Sequence, residues 1–79
     1  MDLNTEVSYI HDKCREFLAA GEFHQLNKFM EHYLLPETDM AILKTLLIIT
    51  KGYKDHKVVG PTRYKLLRVI EKKFGTKLI

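Results

Sequence analysis

The chain has 79 residues, 46% of them hydrophobic and 29% charged, with thirteen Lys or Arg against ten Asp or Glu for a formal +3. That balance excludes a disordered tail, and the length suits one domain, 1–79, that hides only about 60% of its unfolded surface, which makes self-association a real option. A single cysteine excludes an intrachain disulfide, and the acidic start MDLNTEVSYIHDK lacks the apolar core of a signal peptide, so a cytoplasmic protein is expected.

From about Asn4 to Ala20, the residues Leu3, Val7, Ile10, Cys14, Phe17 and Leu18 recur at steps of three and four, the spacing of one helical face. Asp2 or Asn4 offers a short side-chain oxygen to cap the start, and Gly21 ends the helix. A second helix runs from Glu22 to about Leu34, with Phe23, Leu26, Phe29, Met30, Tyr33 and Leu34 on its apolar face. So short a joint at Gly21 predicts an antiparallel hairpin.

The third segment, TDMAILKTLLIITK, is the most apolar run and the expected centre of the fold. Ile48, Ile49 and Thr50 are β-branched and favour a strand. The run is nevertheless about fourteen residues long, and Pro36 and the acidic pair Glu37 and Asp39 sit where a helix start wants them. Lys51 and Gly52 complete a helix-stop signal, which predicts a helix over about 37–51. On a helical roll, Ile48 emerges between Lys44, Thr45 and Lys51 while the other large apolar residues face inward. The run is too short, and too interrupted by Lys44, to span a bilayer.

GYKDHKVVG, residues 52–60, reads as a longer loop whose Val58-Val59 pair tucks back against the bundle. The last helix is expected to open at Pro61, with Gly60 as cap, and to run to Phe74 before Gly75. Leu66, Leu67, Ile70 and Phe74 form its inner face; Lys65, Arg68 and Lys72 stand opposite. Thr76 to Ile79 read as a frayed end whose Leu78 and Ile79 can fold back as a lid. The sequence therefore predicts an all-α, compact four-helix domain with helices at about 4–20, 22–34, 37–51 and 61–74, the apolar run wrapped by three companions.

Charge divides lengthwise. Residues 1–43 hold eight carboxylates and three Lys or Arg, a formal −5, whereas residues 44–79 hold ten Lys or Arg and two carboxylates, a formal +8. Opposite poles are expected, and such asymmetry hints at an anionic partner. The candidate anion-binding residues are Lys51, Lys54, Lys57, Arg63, Lys65, Arg68, Lys72 and Lys73, with Tyr53 and Tyr64 placed to stack on bases. The plainer reading is that these cations solvate the back of a helix. Ile48 with Val69 forms a candidate oligomer seam, against the plainer reading of scattered surface apolar residues.

Catalytic and metal chemistry find little support. His11 and Cys14 are spaced as two ligands on one helix turn would be, but Cys14 falls in the apolar stripe and no second pair follows. No glycine loop has phosphate-cradling spacing. A helix-turn-helix needs a turn of three or four residues before its recognition helix, whereas the basic helix follows a loop of about eight. No catalytic residue, metal, cofactor or small-molecule substrate is expected, and no membrane association.

The stretch FLAAGEFHQLNKFMEHYLL, residues 17–35, resembles one hairpin of tetratricopeptide-type proteins, in which a small-residue glycine turn is followed by an aromatic. The resemblance covers about a quarter of the chain, lacks the period of 34 and departs from the pattern at Pro36. It implies a peptide- or protein-binding groove. The leading expectation is a non-catalytic adaptor or inhibitor that meets a protein partner, or a second copy of itself, through charged faces; the alternative is a nucleic-acid-associated protein.

Overall fold

A computed structural model describes residues 2–75. These fold into α1 (Leu3–Ala20), α2 (Phe23–Glu31), α3 (Met40–Ile49), a 3-10 turn (Lys51–Tyr53) and α4 (Val59–Phe74). There is no strand among the described residues, so the β-branched run is helical and the chain is all-α. The expectations for Thr76 to Ile79 lie outside the described residues.

Both ends of α1 follow from local chemistry. The Asp2 carboxylate accepts a 2.8 Å hydrogen bond from the Thr5 N–H, which caps the helix and holds that carboxyl below its usual range. At the other end Gly21 adopts a left-handed φ of 70°, while the Gly21 N–H donates to Leu18 and the Glu22 N–H to Phe17. This pairing satisfies carbonyls that a helix end leaves open, and it turns the chain directly into α2.

The next joint is longer than expected. α2 stops at Glu31, and the Tyr33 and Leu34 N–H groups make three-residue bonds back to Met30 and Glu31. Pro36 disfavours helical backbone at the residue before it, so the helix gives out early. Pro36 does not open α3. Residues 32–39 form a connecting turn, and Asp39 caps α3 by accepting from the Ala41 N–H at 2.8 Å. Nor does Gly52 act as a left-handed stop: the only left-handed glycines among the described residues are Gly21 and Gly75. α3 ends at Thr50, whose hydroxyl donates to the Leu46 carbonyl at 2.8 Å.

α4 starts at Val59, two residues before Pro61, and Gly60 is not its cap. His56 does that work. Its Nδ1 accepts from the Val58 and Val59 N–H groups at 3.1 and 3.2 Å, and its carbonyl accepts from the Gly60 N–H at 2.9 Å. Two backbone donors require a bare Nδ1, so the ring carries its proton on Nε2. The ring also packs on Phe23, with centroids 4.3 Å apart.

The packing order around the bundle is α1, α2, α4, α3. Asn27 donates to the Val58 carbonyl and Lys65 approaches Glu31, so α2 and α4 run the same way; Lys44 lies over the Phe74 ring, so α3 and α4 run oppositely. α3 thus packs chiefly on α1 and α4 rather than being wrapped by three companions. The core comprises Ile10, Cys14, Leu26, Met30, Ile42, Leu43, Leu46, Val59, Leu66 and Ile70. Phe74, expected inside, is 53% exposed, while Thr62 and Glu71 are buried in its stead. The acidic and basic halves are two helical pairs lying side by side along their length, not poles at opposite ends.

Candidate interaction site

The parallel packing of α1 and α3 leaves a cleft open to solvent. Val7, Ser8, His11, Asp12, Thr45, Ile48 and Ile49 line one half of it, about 390 Å³. His11, Arg15, Leu18, Ala19, Ile48, Ile49 and Tyr53 line the other, about 470 Å³. Ile48 belongs to both halves and is 72% exposed, the most of any large apolar residue described. Its placement follows from the helical roll: Ile42, Leu43, Leu46 and Thr50 turn inward and carry Lys44 and Ile48 to the outside. Ile48 is thus an apolar centre bordered by the polar side chains of Arg15, His11 and Asp12.

Val69 is half-buried in a different hollow, of about 430 Å³, with Leu34, Pro36, Lys72 and Lys73. The two halves of the expected seam therefore line separate hollows. The other cleft residues were hidden in the sequence because α1's polar side reads as ordinary solvated surface; only the pairing of α1 with α3 makes His11, Arg15 and Thr45 neighbours.

The eight cations fall into groups. Lys51, Lys54 and Lys57 are exposed in the segment between α3 and α4. Lys65, Arg68 and Lys72 stand on the outer side of α4 beside Tyr64, itself 53% exposed. Lys65 lies 4.0 Å from Glu31, and Arg68 3.4 Å from the nearly buried Glu71. Lys73 is drawn away, donating to the Pro36 and Thr38 carbonyls at 2.6 Å each and so pinning the α2–α3 turn to the end of α4. Arg63 is half-buried, its Nε enclosed. Tyr53 is half-buried at the end of the cleft, its ring tilted on Phe23 and edge-on to His56, and is less open than Tyr64.

Cys14 is fully buried, and burial pushes its thiol up to about 12, which keeps it protonated at neutral pH. His11 turns to the cleft and to Asp12, 3.3 Å away. No group of three or more His, Cys, Asp or Glu among the described residues is arranged to hold a metal ion. No helix among them is long and apolar enough to cross a membrane. Comparison of the chain with protein-family models, curated proteins and solved structures finds no significant match.

Proposed function

We propose that this is a non-catalytic interaction protein whose partner is another protein, docked in the α1–α3 cleft. The observation that carries this reading is Ile48, left 72% exposed at the middle of a two-helix cleft in a chain with so little apolar surface to spare. Burying one isoleucine side chain against a partner contributes about 1.5–3 kcal/mol. Arg15 on the rim sets the orientation of what docks, since rim charges steer and select more than they hold. An amphipathic helix fits such a cleft through an apolar anchor that covers Ile48 and acidic residues that meet the rim.

A photo-crosslinking side chain at Thr45, placed in the wild-type chain and in Ile48→Asp, tests this in cells that carry the gene. A discrete adduct from the wild-type chain, absent from Ile48→Asp and from a control with the probe at Gln25, is expected. A product at twice the chain's mass identifies a second copy as the partner. Adduct yield at Thr45 equal to that at Gln25 would overturn the proposal.

A further inference from the structure

A second surface, independent of the cleft, has chemistry of its own. The outer side of α4 presents Tyr64, Lys65, Arg68 and Lys72, and Lys57 is exposed in the turn two residues before that helix. The fold's own needs account for little of this charge. Lys51, Lys54, Lys57 and Lys72 make no salt bridge among the described residues, and the Lys65–Glu31 approach of 4.0 Å joins two side chains more than half exposed. Such an exposed pair is worth little and opens readily to a competing anion. Arg68 is different: Glu71, fixed in the helix surface, holds the guanidinium within 3.4 Å while half of it stays open to solvent. Like charges strung along one side repel one another, and a polyanion laid along them relieves that repulsion.

We propose that this face binds the phosphodiester backbone of a nucleic acid, with Lys57, Lys65, Arg68 and Lys72 each meeting a phosphate. Two features favour a nucleic acid over an acidic protein. Lys65, Arg68 and Lys72 lie along one side of a helix rather than clustering around one pocket, an arrangement suited to an extended polyanion. Tyr64 stands among them with its ring exposed, a stacking platform for an unpaired base that an acidic peptide has no use for. The contact is to backbone and so carries no base preference.

Fluorescence anisotropy with labelled DNA of about 20 nucleotides, single-stranded and duplex, tests the proposal across a salt series. The full chain should bind at low salt, and four neutralised phosphates give a log–log slope of about −3.6 on duplex. Lys65→Gln/Arg68→Gln/Lys72→Gln should flatten that slope by about 2–3, as each contact is lost. Lys54→Gln/Lys57→Gln, a variant outside the helix, should flatten it by a smaller amount, and Lys13→Gln on α1 should leave it unchanged. Tyr64→Ala distinguishes the two backbones: a several-fold loss on the single strand alone marks it as the natural ligand, and equal affinities mark the duplex. Absence of binding at about 20 mM salt, equal binding by the triple variant, or tighter binding of polyglutamate than of either DNA would each overturn the proposal.

Discussion

Gly60 offers the sharpest test of the local geometry, because two effects of known sign oppose each other there. Alanine in a helix is favoured over glycine by about 1 kcal/mol, so on propensity alone Gly60→Ala should stabilise α4. A Cβ at that position, however, would sit 2.8 Å from the Lys54 carbonyl oxygen and 3.6 Å from that of Tyr53. The obstacle is backbone, and backbone under restraint: the Tyr53 N–H donates to Thr50 and the His56 N–H to Tyr53. Relieving the overlap means shifting the turn that seats His56 against the start of α4. Overpacking of this kind costs about 1–3 kcal/mol, and the net expectation is a loss of up to about 2 kcal/mol after the propensity gain of about 1. Gly52 is the internal control: nothing lies within 4 Å of its Cβ direction and its φ is not left-handed. Gly52→Ala should be neutral or stabilising by up to about 1 kcal/mol. In urea unfolding followed by circular dichroism, with a slope of about 1 kcal/mol per molar for a small chain, the Gly60→Ala midpoint should fall by up to about 2 M and lie below that of Gly52→Ala. A Gly60→Ala midpoint at or above that of Gly52→Ala would refute the close approach.

Three further outcomes follow from the same contacts. His56→Ala removes the acceptor for two backbone N–H groups and a ring packed on Phe23, for an expected loss of about 1–2 kcal/mol by urea unfolding; His56→Asn should recover part, and a neutral His56→Ala would deny the cap. Lys73→Met should cost about 1 kcal/mol by releasing the Pro36 and Thr38 carbonyls, whereas Lys72→Met should cost nothing measurable; equal effects would contradict the pinning of that turn. Cys14 should resist Ellman's reagent in the native state and react at once in urea. Because its folded value is raised from 9.0 to about 12, the stability this group contributes is intact below about 9 and is lost as pH climbs from there toward about 12. The stability gap between wild type and Cys14→Ala should narrow over that range, and a gap independent of pH would argue against burial.

The helices, the Gly21 and Gly75 stops, the burial of Cys14 and Val59, and the emergence of Ile48 were all legible in the sequence, because each rests on periodicity or on one residue's backbone preference. What stayed hidden depends on partners distant in the chain or on side chains in unaccustomed roles. Histidine is not among the usual helix caps, so His56 read as an ordinary loop residue. Gly60 resembled a cap when its task is to let one strand of backbone pass close to another. Pro36 suited a helix start, yet the capping oxygen of Asp39 three residues later set the boundary. Lys73 looked like one more cation for an anionic partner until the α2–α3 turn was seen beside it. The cleft itself was the least legible feature, since neither α1 nor α3 carries it alone.

The whole account turns on Ile48 serving recognition rather than folding, and Ile48→Asp separates the two with paired readouts on one protein. The unfolding free energy from urea titration should stay within about 0.5 kcal/mol of wild type, as expected for a surface substitution, while the Thr45 adduct disappears. A loss above about 2 kcal/mol, the scale of a buried side chain, or an adduct that survives the substitution, would show that residue 48 is not the point of contact.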